Sequence, residues 1–573
     1  MKNYKYYVKI WKTGYNKYEV FILFRKIILP SIITLLLGAV NYYITLPALN
    51  IKSVSFWGFL FFLVIVWVLS RVLLAGAIKI FSVLKGETKT QFNKEKVFNF
   101  KKGHKIAILV SIALVVVIGI TIFVSSSVIF NAAKYQKMLN VSEADFNKDI
   151  AEIPLSQIPV VDRDTAMRLG SRKIGEVVEL VSQFNVSSYY TQINYNQVPV
   201  RVSPLEYADL LKWFVNREEG IPYYVKIDMA TQNTDLVELK EGIKYSPSEY
   251  FARDLMRHVR FAYPTKMFEQ ISFEIDDSGA PYWIVSYYDY TIGFLGGKDI
   301  AGIIAVNAVN GEMKNYPVKE VPQWIDAVYN SNMIITQADY WGAYKNGFYN
   351  SIFTQKNVVA TTDGYNYLAI NDDVWLYTGI TSVVKDESNI GFILVNMRTK
   401  EAKTFAINGA EEYSAMESAE GMIQEKGYRA TFPILVNIAE TPSYFISLKD
   451  DAGLVKAYSF VSVSNYQIVG VADTLAGAQS EYIRLLKNSG KIDETTKIPE
   501  EQEQKIVTGV VEKISSAVVN GNSKYYIKIS GNKTIFVVDI SVSSKLPLVS
   551  SGDNITLKYY SDEQNNVIIS EIE

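Results

Sequence analysis

The stretch AGIIAVNAVNGEMKNYPV (residues 301–318) decides the fold, because it contains two apolar runs joined by a short polar turn. Similar stretches stand at residues 391–407 (GFILVNMRTKEAKTFAI) and 223–239 (YYVKIDMATQNTDLVEL). Alternating apolar residues indicate strands, and the dipeptide Asn310-Gly311 is typical of a tight hairpin. The stretches start 78 and 90 residues apart, so we predict a repeated unit of about 80 residues, too large for a solenoid repeat.

Each predicted unit combines these hairpins with a helix. Apolar residues recur at helical spacing in several segments, and Ser246 with Glu249 forms a capping-box pattern. A helix packed on an antiparallel sheet is the α+β module that this order favours. The segments predicted to be helical are 162–177 with Asp162 or Asp164 as the cap, 207–215, 246–263, 321–329, 409–427 and 474–487.

The turn within residues 303–314 (IIAVNAVNGEMK) resembles that of the PepSY module, a cystatin-like fold of bacterial envelope proteins and peptidase propeptides. That module commonly has Asp-x-x-Thr-Gly-Glu here; Asn307 stands in place of the Asp, while Gly311 and Glu312 fit. The resemblance covers residues 162–487 and implies tandem modules of one ancestral kind. The matching positions of the other two copies are Asp228 and Thr231 in the first, and Asn396, Thr399 and Glu401 in the third.

Three long apolar segments predict transmembrane helices. Residues 27–46 and 106–130 carry no charge, and residues 56–78 carry only Arg71, which is expected at an interface or inside the helix bundle. Each segment has about the 20 residues that a helix needs to cross a hydrocarbon core of roughly 30 Å. The alternative, a buried hairpin of a soluble domain, fits three such runs poorly.

Basic residues predict the orientation of these helices. Seven Lys and Arg precede the first segment and eight lie between the second and third, but only Lys52 lies between the first and second. Since basic loops stay in the cytoplasm, we predict a cytoplasmic N-terminus and an extracytoplasmic chain after residue 130, in a bacterial plasma membrane. The basic, aromatic leader suits either an amphipathic helix on the inner leaflet or a disordered tail. No cleavable signal peptide is visible.

The predicted extracytoplasmic part is acidic. After residue 137 the chain has 39 basic and 56 acidic residues, a net charge of −17. Such a domain repels polyanions, so nucleic acid is not an expected partner. The chain has no Cys, which excludes disulfides and thiolate metal sites and would suit a Gram-positive envelope.

The predicted fold class is a membrane-anchored α+β protein with three transmembrane helices, tandem helix-on-antiparallel-sheet modules and a small all-β barrel. The barrel prediction rests on five short alternating runs after residue 505, which suit an OB-like fold. The predicted organisation is a cytoplasmic basic leader (1–26), three transmembrane helices (27–130), a stalk (131–160), α+β module 1 (161–240), PepSY-like module 2 (241–330), α+β modules 3 (331–408) and 4 (409–487), an acidic linker (488–505) and the OB-like barrel (506–573).

No residue pattern predicts a catalytic, cofactor or metal site. The two histidines, His104 and His258, lie on opposite sides of the predicted membrane. Pairs of acids at 276–277, 372–373 and 450–451 have residue types that serve hydrolysis or calcium binding. The first and third pairs precede Gly in a turn pattern, however, so structural turns are the favoured interpretation.

Clustered aromatic residues are the best candidates for binding a partner. Exposed Tyr and Trp are effective anchors at protein interfaces, but the same residues suit apolar seams between modules, and seams are the favoured interpretation. Both interpretations stay open for the densest cluster. Its candidate partner-binding residues are Tyr282, Trp283, Tyr287, Tyr288, Tyr290 and Phe294.

The expected function is that of a non-enzymatic binding or scaffold protein of the bacterial envelope, in contact with the lipid bilayer and an envelope protein. The resemblance implies regulation of a peptidase or cell-wall enzyme. One alternative is an envelope subunit of a secretion or DNA-transfer machine, and another is a hydrolase that uses the paired acids. An oligomer is compatible with all three.

Overall fold

A computed structural model describes residues 27–84, 102–383, 385–496, 505–519, 522–532, 534–540, 542–543, 545–561 and 567–572. The predicted basic leader, most of the basic loop before the third apolar segment and residues 497–504 of the acidic linker lie outside these residues. Within them the chain is a mixed α+β protein with five sheets and a set of apolar helices.

Three apolar helices come first: α1 (Leu29–Thr45), α2 (Val54–Leu84) and α3 (Lys102–Ser126). Two stretches, Val54–Leu74 and Leu109–Gln136, are long and apolar enough to cross a membrane. Helix α1 has 17 residues, because Pro30 stands in its first turn and Leu46 ends it in a left-handed conformation. Since it rises only about 26 Å, α1 is shorter than a full span, and the predicted third crossing is not established.

The segment predicted to be a stalk is folded. It contains α4 (Val128–Gln136), β1 (Val141–Glu143) and α5 (Phe146–Asp149). Strand β1 pairs in parallel with residues 402–404, and Ile158 is completely buried. The stalk prediction is therefore wrong, because the apolar residues of this segment fill gaps between the modules that follow.

Four modules follow, each with a four-stranded antiparallel meander and a helix before it. Module 1 contains α6 (Arg163–Gly175), α7 (Val178–Val181), β2 (Phe184–Val186), β3 (Thr191–Tyr195), β4 (Val198–Tyr207), α8 (Leu210–Asn216), β5 (Ile221–Asp228) and β6 (Thr234–Ile243). Module 2 contains α9 (Leu255–Ala262), β7 (Met267–Ile275), β8 (Pro281–Ile292), β9 (Gly296–Asn307) and β10 (Met313–Pro317).

Modules 3 and 4 repeat this order with short additional strands. Module 3 contains α10 (Ser331–Ala343), β11 (Val359–Thr361), β12 (Asn366–Ile370), β13 (Asp373–Ser382), β14 (Lys385–Asn396), β15 (Ala402–Phe405) and β16 (Gly409–Ala410). Module 4 contains α11 (Glu412–Met422), β17 (Arg429–Ala430), β18 (Ile434–Ile438), β19 (Thr441–Lys449), β20 (Val455–Ser462), β21 (Val469–Ala472) and α12 (Leu475–Asn488). The meanders are β3-β4-β5-β6, β7-β8-β9-β10, β12-β13-β14-β15 and β18-β19-β20-β21.

The repetition in the sequence corresponds to one turn geometry. After the third meander strand of modules 1 to 3, an Asp or Asn side chain accepts hydrogen bonds of 2.8–3.1 Å from the backbone N–H groups two and three residues later. The residue four positions on is left-handed in each copy. Gly takes this conformation without strain, whereas the other two residues adopt it against their preference. The three turns begin at Asp228, Asn307 and Asn396, and their left-handed residues are Gln232, Gly311 and Lys400.

Strand β8 is buried on both faces, which explains its near-continuous apolar sequence. Trp283, Val285 and Tyr287 enter a core shared by all four modules. Ile284, on the opposite face, enters a second core between modules 2 and 3. Because both faces of the strand are covered, period-two alternation disappears here.

Several helix predictions were wrong in their limits. The helix predicted over 246–263 begins at Leu255, where Asp254 accepts a 2.8 Å hydrogen bond from the backbone N–H of Arg257. Ser246 therefore does not cap it. Residues 321–329 are not helical, and the helix α10 was not predicted. The cap at Asp162 is present, with a 2.8 Å hydrogen bond from the backbone N–H of Thr165.

The C-terminal sheet has its own small core. Its strands are β22 (Lys505–Val519), β23 (Asn522–Ile529), β24 (Ile535–Asp539), β25 (Asn554–Ser561) and β26 (Val567–Ile572), in the order β24-β23-β22-β25-β26. Edge strands β24 and β26 contact each other, but their described residues form no ladder. The described part of the sheet therefore does not form the closed barrel that the sequence predicts.

Short turns of 3₁₀ or π type complete the chain. They are Leu155–Gln157, Phe251–Arg253, Val318–Glu320, Asn350–Thr354, Gln424–Lys426 and Leu546–Leu548.

Candidate functional site

A cleft of about 480 Å³ lies where modules 1, 2 and 3 meet, and we call it the central cleft. Module 1 contributes the start of α6 and residues of β3 and β4. Module 2 contributes β7 and the segment after its sheet, module 3 contributes β12, and Phe432 of module 4 lies at the edge. The polar residues that line the cleft are Asp162, Arg163, Asp164, Tyr190, Thr191, Gln192, Arg201, Gln270, Ser272, Asp326, Tyr329, Asn330, Ser331, Tyr365, Asn366 and Tyr367.

Arg201 is a buried cation without a carboxylate partner. It stands in β4 between Val200 and Val202, and its side chain is held by one 3.1 Å hydrogen bond, from Nη2 to Oε1 of Gln192 in β3. Among the described residues no Asp or Glu oxygen lies within ion-pair distance of it. Burial lowers the pKa of its guanidinium to about 10. An unpaired guanidinium at this depth costs several kcal/mol of desolvation, about the penalty that a bound anion would offset.

Two donor atoms beside the cleft are unused. Arg201 Nε and Gln192 Nε2 are buried and have no hydrogen-bond partner among the described residues. Both side chains are 7% exposed and line the cleft. A guanidinium with free donors matches the two oxygens of a carboxylate or phosphate, so this wall of the cleft is suited to an anionic group.

Glu274 and Asp326 form a buried acid pair next to this wall. Glu274 accepts hydrogen bonds from the backbone N–H groups of Asp326 at 2.8 Å and Ala327 at 3.1 Å. Burial, opposed by these bonds, raises the pKa of Glu274 to about 7. Burial and the neighbouring Glu274 raise the pKa of Asp326 well above its usual range. The pair therefore adds little negative charge to the cleft in mildly acidic solution.

Asp326 also joins three modules. Its carboxylate accepts a 2.7 Å hydrogen bond from the backbone N–H of Asn194 in module 1 and one of 3.2 Å from Val374 in module 3. A further link closes the cleft from module 4, where Lys449 pairs with Asp162 at 2.6 Å. These contacts fix the relative positions of the walls.

The six aromatic candidates do not form one exposed surface. Trp283 and Tyr287 are buried in the shared core, where Trp283 packs against Phe273 and Tyr189. Tyr282 packs on a tryptophan of the following segment, on the other side of β8. The rings of Tyr288 and Tyr290 pack edge to face, with their centres 5.7 Å apart. Phe294 lies in the β8–β9 turn at the end of α3.

The paired acids lie in separate loops and have structural contacts. Asp276 accepts hydrogen bonds from Ser278 and Ala280 within its own turn. Asp450 does the same for the backbone N–H of Leu454. Asp373 forms a two-point ion pair with Arg398. Burial and the neighbouring Asp277 and Asp373, opposed by a hydrogen bond from the backbone of Gln197, raise the pKa of Asp372, so the first and second pairs lie near each other.

His258 has a structural contact as well. One ring nitrogen lies 2.8 Å from the carbonyl of Gly311, and the ring packs on Tyr245. His104 lies in α3, and its side chain is outside the described part of the structure.

Arg201 and the acid pair were not predicted from the sequence. A signal was present in each case, because Arg201 interrupts the run VPVRVSPL and Glu274 interrupts ISFEI. A charge inside an otherwise apolar strand is costly, so it marks a polar centre. Which centre it belongs to depends on tertiary contacts, such as that of Glu274 with the backbone of Asp326, 52 residues later.

Comparisons with known proteins do not identify a family. No family model and no curated protein matches the chain. Among solved structures, a xylan β-1,4-xylosidase from Bacillus halodurans is 9% identical over 68% of this chain and 55% of that enzyme, with a TM-score of 0.17. A levansucrase variant from Bacillus megaterium is 8% identical over 75% of this chain and 98% of that one, with a TM-score of 0.16. TM-scores this low carry no argument about fold or activity.

Proposed function

We propose that this chain is a membrane-anchored, extracytoplasmic binding protein of the bacterial envelope, whose central cleft takes a carboxylate or phosphate group of its ligand. The observation that carries the proposal is the buried, unpaired guanidinium of Arg201 in the wall of the cleft. Folded proteins pair such charges unless a ligand does so. A C-terminus or acidic segment of an envelope protein would meet this requirement.

Contacts at the helix ends support the proposed topology. The backbone N–H of Leu49, just after α1, donates a 2.7 Å hydrogen bond to Pro264, and Lys52, just before α2, pairs with Asp289 at 2.8 Å. Ser126, at the end of α3, accepts hydrogen bonds from the backbone of the β8–β9 turn. Three helix ends that meet module 2 from one side are what an up–down–up arrangement requires. The basic segments then lie on the other side, as the positive-inside rule expects.

The first test is ligand binding by the full-length protein in detergent, followed as a shift in unfolding temperature. Inorganic phosphate and N-acetylglycine are the probes, since they present the two anionic groups in minimal form. We expect a concentration-dependent rise in Tm with at least one probe, because a ligand of the folded state stabilises it. Arg201→Gln should abolish that rise, whereas Arg172→Gln, an exposed position on α6, should leave it unchanged.

The Tm without ligand separates binding from a structural role. Removing an unpaired buried charge relieves its desolvation, so Arg201→Gln should match or exceed the unliganded wild type in Tm. A lower Tm for this variant, with no probe-dependent shift in the wild type, would show that Arg201 is a structural cation and contradict the proposal.

A further inference from the structure

An apolar surface lies on module 1 and module 2 next to the end of α1, and we call it the apolar shelf. On the seven-residue helix α8, Leu211 and Val215 are each 74% exposed and Phe214 is 60% exposed. Phe251 and Phe261 add rings that are 65% and 55% exposed. A cluster of this kind on a folded domain marks an interaction site.

The shelf is continuous with the apolar helix α1. Phe251 packs beside Trp213 of α8, and its carbonyl accepts a 2.7 Å hydrogen bond from Arg257. The Arg257 guanidinium also lies 4.2 Å from the ring centre of Tyr43, near the end of α1. Phe261 packs against Tyr43 as well. The exposed rings therefore stand at the level where α1 ends.

The residue types on the shelf are those of a membrane interface. Aromatic rings favour the headgroup level, and an amphipathic helix buries its apolar face about 5–10 Å into that region. The Arg217 guanidinium lies 4.5 Å from the ring centre of Phe214, which places a positive charge on the shelf where it can meet anionic headgroups. Asp209 caps α8, which holds the helix without help from a partner.

We propose that the apolar shelf inserts into the outer headgroup region of the bilayer that the apolar helices enter. This rests on the proposed membrane topology and adds a second attachment, which fixes the tilt of the modules above the membrane. Module 2 is tied to the helix ends and module 1 to the lipid, so the central cleft between them keeps one orientation toward the membrane.

The test uses the fact that the natural chain has no Cys. Phe214→Cys is labelled with an environment-sensitive fluorophore in the full-length protein, which is reconstituted into vesicles of phosphatidylcholine and phosphatidylglycerol. Lipids brominated near the top of the acyl chain are the quencher. We expect loss of most of the emission at this position. The control Tyr466→Cys is 47% exposed in module 4, and it should keep its emission.

A third label separates this proposal from the topology on which it rests. Val64→Cys lies inside α2, where the side chain is 59% exposed. Quenching at Val64 without quenching at Phe214 would overturn the shelf proposal alone, and absence of quenching at both would overturn the membrane placement. If the label at Phe214 were not quenched but its emission wavelength changed with the protein-to-lipid ratio, the shelf would contact a second copy or a protein partner instead.

Discussion

The four modules and the C-terminal sheet bury their apolar residues in different ways. In the modules, strand β8 is covered on both faces and its residues enter two cores. In the C-terminal sheet, Phe536 and Val538 are buried while Ile535 and Val537, on the other face, are 58% and 37% exposed. A doubly covered strand couples its neighbours, whereas a sheet with one covered face depends only on its own core. The modules should therefore unfold together and the C-terminal sheet separately.

The largest predicted effect tests this coupling at Trp283. We expect Trp283→Ala to lower the free energy of unfolding by about 3–5 kcal/mol, because it opens a cavity and removes the 2.9 Å hydrogen bond from the indole N–H to Tyr245. Hydrogen exchange should then accelerate in modules 1 to 4 and stay unchanged in residues 505–572. Phe536→Ala should do the reverse, with Val537→Ala as its exposed control.

Trp283→Phe sharpens the same experiment. It keeps most of the packing against Phe273 and Tyr189, so it should lower the free energy of unfolding by only a small part of the amount that Trp283→Ala does. If Trp283→Ala accelerated exchange in module 2 alone, the modules would be independent units and the shared core would not couple them.

This contrast also explains how much of the fold the sequence could predict. The strands of the C-terminal sheet could be predicted because apolar and polar residues alternate in them. The repeated turns could be predicted because Asp, Asn and Gly residues mark them. The helix limits near Ser246 and Asp326 could not be predicted from the sequence. Their polar residues serve partners on other modules, such as Glu249, which accepts hydrogen bonds from Tyr207 and Trp213 instead of capping a helix.

The candidate site was less predictable than the fold. Two of its residues, Gln192 and Arg201, lie in ordinary strands of module 1, and Asp326 lies more than a hundred residues later. Only the arrangement of the modules brings them to one cleft. The aromatic residues near Tyr282 had the composition of an interface, yet a doubly covered strand needs the same composition. Local sequence carries no information that separates these two cases.

The second prediction concerns Glu274, a buried acid with no equivalent among the described residues of the C-terminal core. Its pKa rises from 4.5 in the unfolded chain to about 7 in the fold, so the folded state binds the proton more tightly. The resulting stability is complete below pH 4.5 and is lost as the pH rises through 7, a change of about 3 kcal/mol. Glu274→Gln has no proton to lose and should lack this slope.

Urea unfolding between pH 4.5 and 8, followed by tryptophan fluorescence, measures the difference in slope between wild type and Glu274→Gln. All eight tryptophans precede residue 376, so the signal does not include the C-terminal sheet. A difference in the free energy of unfolding that is the same at every pH would reflect the changed hydrogen bonds of residue 274. Parallel curves would contradict the assigned role of Glu274.

The smallest predicted effects compare an ion pair from each region. In module 3, Arg398 donates two hydrogen bonds of 2.7 and 2.8 Å to Asp373, and these side chains are 19% and 11% exposed. In the C-terminal sheet, Lys528 and Glu512 form a single contact, with side chains 43% and 46% exposed. Asp373→Ala leaves a largely buried guanidinium unpaired and should cost about 2 kcal/mol, less than for a fully buried pair because water reaches Arg398.

Glu512→Ala is the matched change in the exposed pair, and it should cost less than about 1 kcal/mol, since the Lys528 side chain is already 43% exposed to water. Hydrogen exchange of the module 3 and C-terminal peptides measures both effects in the same way. Salt provides the control, because 0.5 M sodium chloride should remove the Glu512 effect and leave most of the Asp373 effect. Equal losses at both positions would mean that burial does not distinguish the two regions, and the comparison between them would fail.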